Sequence, residues 1–170
     1  MTELDQVWSQ MLAQAERKAG ESGRHDVADY LRLRATNDSI RQRGTLWLFD
    51  TIIEIAGGGV RDGINLTIER EAPHNFARGS SNMVGSLVRI RHGVRCMTVE
   101  AGWARTPSDG IMRNGALAFG RIAHFGIPKQ TADLRLVHAQ TLPSWLDETD
   151  KVVDTETFHR HFEIFTGREV

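Results

Sequence analysis

Residues 55–69 read IAGGGVRDGINLTIE, and the periodicity of the chain changes inside this stretch. Before it, apolar residues recur at three and four positions. After the glycines, Ile64, Leu66 and Ile68 alternate with Asn65, Thr67 and Glu69. The first spacing lays one apolar stripe along a helix, and the second turns one face of a strand toward a core. Gly57, Gly58 and Gly59 lie between the two patterns, and glycine costs a helix roughly 1 kcal/mol per residue. A flexible break is therefore expected there, with helices before it and a sheet after it.

Working upstream, Leu4, Val7, Trp8, Met11, Leu12 and Ala15 predict a helix over 3–19, ended by Gly20, Ser22 and Gly23. A second helix is expected from Asp26 to about Arg34, carrying Val27, Tyr30, Leu31 and Leu33. Asn37, Asp38 and Ser39 are good N-cap residues and predict the start of a third helix. That helix holds Ile40, Leu46, Trp47, Leu48, Phe49, Ile52, Ile53 and Ile55, apolar on most sides. A central buried position follows, in which Trp47→Ala would cost about 3–5 kcal/mol.

Working downstream, the strand at Ile64 is followed by an expected loop over 72–82. Strands over 86–92 and 94–100 flank a His92-Gly93 turn. This turn sets Arg91 opposite Val94 and Ile90 opposite Arg95. Val88, Ile90, Met97 and Val99 then share one face, with Leu87, Arg89, Arg91, Val94, Cys96 and Thr98 on the other. Residues 116–125 and 132–138 read as further strands, although Ala116, Leu117, Ala118 and Phe119 also suit a helix. Phe158, His161, Phe162 and Phe165 form a stripe on a short helix over about 154–166. The reading is α+β: N-terminal helices (about 3–56) packed on a mostly antiparallel β-meander (about 64–138), with a short C-terminal helix. One domain over 1–170 is expected.

With 170 residues, 40% hydrophobic and 25% charged, the chain has ordinary globular composition, which excludes collagen-like and wholly disordered proteins. No apolar run reaches the roughly 18 residues a membrane span needs. Thr2, Glu3 and Asp5 open the chain without a basic, apolar leader, and the single Cys96 excludes an internal disulfide, so a cytoplasmic location is expected.

The net charge of −1 conceals an asymmetry, because residues 78–121 carry seven arginines against Glu100 and Asp109. Arg89, Arg91 and Arg95 surround one hairpin, with Trp103 and Arg105 just beyond. Guanidinium groups so clustered suit a phosphate or carboxylate, unless acidic helices cover them. Nucleic acid is not the expected partner, since the pI is about 6.7 and such domains usually read above 9.

For acid–base chemistry, Glu100 ends its strand beside Gly102 and Trp103, and His124 ends another before Phe125-Gly126. The two make the best available catalytic pair. His138 shares a face with Leu134 and Leu136 and reads as a core histidine. Glu69, Arg70, Glu71 and His74 form an unspecific polar cluster. Glu156, His159 and Glu163 share a helix face, but no second ligand group points to them, so neither a metal nor a cofactor is expected. Cys96 lacks a cysteine–histidine motif, and no nucleophile elbow or phosphate loop is present. The function expected is a non-enzymatic domain binding a small anionic ligand or a protein partner, with a homodimer left open. The alternative is a hydrolase acting on an anionic substrate.

Overall fold

The computed structural model describes residues 3–138 and 142–168. It contains helices α1 (Glu3–Glu21), α2 (His25–Arg61) and α3 (Thr155–Thr166). Six strands follow α2: β1 (Thr67–Arg78), β2 (Ser81–His92), β3 (Arg95–Trp103), β4 (Ala116–His124), β5 (Ala132–His138) and β6 (Pro143–Leu146). They form one antiparallel meander in sequence order, so the fold is α+β. Among the described residues no helix is long and apolar enough to cross a membrane. Internal contacts divide the chain into two compact units, Met1–Arg43 and Gly44–Val170.

In the first unit α1 runs antiparallel to the start of α2. Trp8 donates its indole N–H to Asp38 at 3.3 Å, Arg34 stacks over the Trp8 ring, and Arg32 reaches Glu16 at 3.0 Å. The two helices expected over 26–55 are one helix of 37 residues. The reason is visible at the supposed cap: Asp38 is engaged by Arg41 at 2.8 Å and by Trp8, so its carboxylate does not cap a new helix. Thr36 bonds back to the Arg32 carbonyl, as a residue inside a helix does.

The glycine run is also helical rather than a break. A Cβ on Gly59 would lie 2.7 Å from the Phe162 ring, so the missing side chain lets α3 approach closely. The helix stops at Gly63, where a left-handed φ of 88° lets Ile64 N–H bond back to Gly59.

In the second unit the C-terminal half of α2 and all of α3 cover one face of the sheet. Val88, Ile90, Met97, Val99, Ile122, Leu134 and Leu136 form that face and are fully or almost fully buried. Phe49, Ile52, Phe158 and Phe165 meet them from the helices. Asp154 caps α3 by accepting the Thr157 N–H at 2.9 Å, and Gly167 closes it in the left-handed conformation. Trp145 of β6 ties the edge strand to α2 by donating to the Gly44 carbonyl at 2.9 Å. His138, expected in the core, is exposed at the end of β5.

Trp47 departs from expectation. It lies 39% exposed, edge-on to Phe158, rather than in the core. Trp47→Ala is therefore expected to cost about 1–2 kcal/mol in urea melts, below the 3–5 of a fully buried ring.

The faces expected for β2 and β3 are correct but their register is not. The turn is Gly93-Val94, so Arg91 pairs with Cys96 and Ile90 with Met97. The expected loop over 72–82 is instead strand on both sides of a Gly79-Ser80 turn. A bulge between Glu71 and His74 absorbs Pro73 and breaks the alternation that would have revealed the strand. Residues 116–124 are strand, not helix, and β6 lies outside every expected element.

The second face is bent. Strands lie about 4.8 Å apart, so a flat sheet would hold β1 and β5 roughly 19 Å from each other. Arg78 at the tip of β1 nevertheless pairs with Asp133 of β5 and lies over the Phe119 ring of β4 at 5.2 Å. The bend line crosses the β1 bulge, Gly85 and Gly102, which are opposite one another in register. Either glycine bearing a Cβ would strike the neighbouring backbone. Under the folded-over tip, Phe76, Met83, Met112, Ala116 and Phe119 make a second, smaller core.

Candidate functional site

The concave face carries a row of polar and charged groups contributed by β1, β3, β4 and β5, with Leu87 in the β2 position. His74 Nε2 lies 2.7 Å from Glu100 Oε2, and its Nδ1 lies 3.4 Å from Glu71 Oε1. Glu100 is opposite Arg121 in register, and Arg121 Nε donates to Asp133 at 2.7 Å. Asp133 accepts from Arg78 as well. Burial pushes the Asp133 carboxyl up, but the hydrogen bonds and charges of Arg121 and Arg78 outweigh it, and its pKa is net lowered. The bond to Asp133 likewise raises the Arg121 pKa against the effect of burial. Two guanidinium groups on one carboxylate hold the tip of β1 against β4 and β5.

Beside this row opens a cleft of about 610 Å³, the size of a small-molecule site. Phe119, Asp133 and Arg135 line it from β4 and β5. Further sides come from the β1–β2 turn at Arg78–Ser81, the loop at 111–114, and the segment after β6 at Asp147, Glu148 and Asp150. Most of its charges are already satisfied. Arg135 pairs with Asp150 and donates to the Asn114 carbonyl at 3.5 Å. Asp147 accepts the Thr149 hydroxyl at 2.7 Å together with the N–H groups of Thr149 and Lys151. Chiefly through that hydroxyl, and despite some burial, its pKa is lowered. Arg113 and Glu148 differ, since neither side chain makes an ion pair or hydrogen bond within the described residues.

No family model matches this chain, no curated protein matches it, and no solved structure matches it.

The residues singled out in the sequence do not gather at the cleft. Arg89 lies on the concave face but is paired with Glu69 at 3.3 Å and Glu71 at 4.0 Å, and Arg91 lies 3.9 Å from Glu69. The acid that answers these arginines is on the neighbouring strand rather than on a terminal helix. Arg95 projects to the helical side, where Nη1 donates to the Phe165 carbonyl at 3.2 Å and meets the negative end of α3. Trp103 is buried, and Arg105 stacks on it at 3.7 Å while donating to the Val84 carbonyl. The five expected ligand residues thus occupy three separate places.

Glu100 and His124 are not a pair. Glu100 is on the concave face opposite Arg121, whereas His124 is opposite Met97 on the helical face. His124 is buried there, its Nε2 3.0 Å from Nδ1 of His161. Glu100 finds its histidine in His74, from the polar cluster around 69–74. With carboxylates at both ring nitrogens, that imidazole is held rather than presented, and neither His74 nor Glu100 lines the cleft. Among the described residues no group of three metal-binding side chains occurs.

Arg78, Arg113, Asp133, Arg135 and Glu148 were not distinguished by sequence. They come from four stretches of chain that only the bend brings together. The one local signal is the turn-rich segment 106–115, which holds Arg113 between two strands.

Proposed function

We propose that this chain is a ligand-binding domain whose cleft takes a small molecule by its anionic group, held by Arg113. The observation that carries this reading is the Arg113 guanidinium on the cleft, which has no partner among the described residues, whereas Arg78 and Arg135 are already paired with carboxylates. An unpaired guanidinium keeps its five N–H donors for an incoming oxyanion. The Ser80 hydroxyl, on the β1–β2 turn of the same cleft, offers a further donor. The paired arginines Arg78 and Arg135 fix the surrounding backbone, so little ordering remains to oppose binding.

Titration with inorganic phosphate or acetate, followed by amide NMR shifts, tests the reading. Shifts confined to 79–81 and 111–114, and abolished by Arg113→Gln at unchanged thermal midpoint, are expected. Equal shifts in the variant, or none in the wild type, would overturn it. Arg89→Gln with Arg91→Gln is the control, because both arginines are matched to Glu69 and Glu71 and lie off the cleft.

A further inference from the structure

The charges lining the cleft sort themselves when each is assigned its partner. Arg78 and Arg121 share Asp133, Arg135 takes Asp150, and Asp147 is satisfied by the turn that it organises. Among the described residues one positive and one negative group are left: Arg113, on the loop before β4, and Glu148, on the segment after β6. They belong to different segments lining one cavity. Glu148 has a weaker attraction to Arg121, a residue outside the cleft lining that is already bound to Asp133, and makes no ion pair or hydrogen bond among the described residues. Two unpaired charges of opposite sign that do not meet each other form a dipolar receptor. A ligand carrying only an anion would satisfy Arg113 and leave Glu148 facing it, at an electrostatic cost.

We infer that the cleft is built for a dipolar small molecule, with its carboxylate or phosphate on Arg113 and its ammonium group on Glu148. Amino acids and other amino-substituted acids are the chemical class this describes. The inference rests on the anion reading above and adds to it the second pole. A cavity of about 610 Å³ has room for a ligand of this kind with intervening apolar atoms against Phe119.

The test compares plain carboxylates with ω-amino carboxylates of equal length, butanoate against 4-aminobutanoate and hexanoate against 6-aminohexanoate, by calorimetry and NMR. At the matching length the amino acid is expected to bind about fivefold more tightly than its plain counterpart, the upper end of an exposed ion pair. Glu148→Gln should remove that preference, with butanoate and phosphate binding as tightly as in the wild type or more tightly because the facing carboxylate is gone, and Arg113→Gln should weaken both series. If amino and plain acids bind alike at every length, or the preference survives Glu148→Gln, the dipolar reading is overturned and the anion reading stands. If neither series nor phosphate binds, both readings fall together.

Discussion

Gly85→Ala is expected to destabilise the protein by about 4 kcal/mol or more, the range reserved for changes the surroundings cannot absorb. Gly85 lies mid-strand in β2, opposite Gly102 of β3 and His74 of β1. A Cβ there would overlap the Ala101 carbonyl oxygen and come within 2.6 Å of the Gly102 Cα. Both obstacles are backbone, so no side chain can swing aside. Relief would require β2 and β3 to separate or the sheet to flatten. Flattening would withdraw Arg78 from Asp133 and uncover Met83 and Phe119, so the cleft would be lost with the bend.

Gly79 supplies the comparison. It has a left-handed φ of 60°, but a Cβ added to it would meet nothing within 4 Å. Gly79→Ala is therefore expected to cost only about 1 kcal/mol of backbone strain. Urea unfolding of the two variants decides the matter. Equal losses would mean that the bend tolerates a side chain and that the glycines are not what positions the cleft.

What the sequence revealed depended on how local the cause was. The order of helix before sheet was legible, although Ile64 and Leu66, two of the three residues whose alternation marked the first strand, precede β1 and only Ile68 lies in it. The helix α3 was legible too, with Phe158, Phe162 and Phe165 on one face. The division of β2 and β3 into an apolar and a polar face followed from alternation alone, and it survived a register error because faces depend only on odd or even spacing. The helix through 37–39 was hidden because Asp38 is taken by Arg41 and Trp8, and Trp8 lies thirty residues away in sequence.

Gly57, Gly58 and Gly59 looked like a break because propensity counts only the residue's own preference. Gly59 is there to admit Phe162, a residue more than a hundred positions later. β1 beyond Glu71 was hidden by its bulge. The cleft lay furthest from view, since no local pattern announces that β1 will fold over β4 and β5. Paired glycines on adjacent strands were the one available hint, and they become informative only with the register known.

On the opposite face, acid should weaken the fold before the four aspartates with lowered pKa values are protonated. His124 and His161 are buried between β4 and α3, their rings nearly parallel and joined by one hydrogen bond at 3.0 Å. Such a bond needs one ring nitrogen to donate and a deprotonated nitrogen of the other ring to accept, so the two rings cannot both be charged. Burial lowers the pKa of His124, and burial together with the charges of His124 and Arg160 lowers that of His161 to about 4. The folded state therefore holds the pair neutral, while in the unfolded chain each histidine takes a proton below about pH 6.5. The stabilisation is complete above pH 6.5 and is lost as pH falls from there toward 4, where the folded pair begins to protonate too.

For His161 alone that loss amounts to about 3 kcal/mol, at 1.36 kcal/mol per pH unit of displacement. Asp109, Asp133, Asp147 and Asp154 have pKa values lowered from 3.8, so their contribution disappears only below that value. The two windows do not overlap. Replacing both histidines by leucine removes the donor and the acceptor together and leaves no buried polar atom unpaired. Urea unfolding free energies between pH 7 and 4.2 should then fall by about 3 kcal/mol more in the wild type than in His124→Leu with His161→Leu. Parallel curves would show that the buried pair carries its proton in the folded state, and that α3 is docked on the sheet through a charged pair rather than a neutral one.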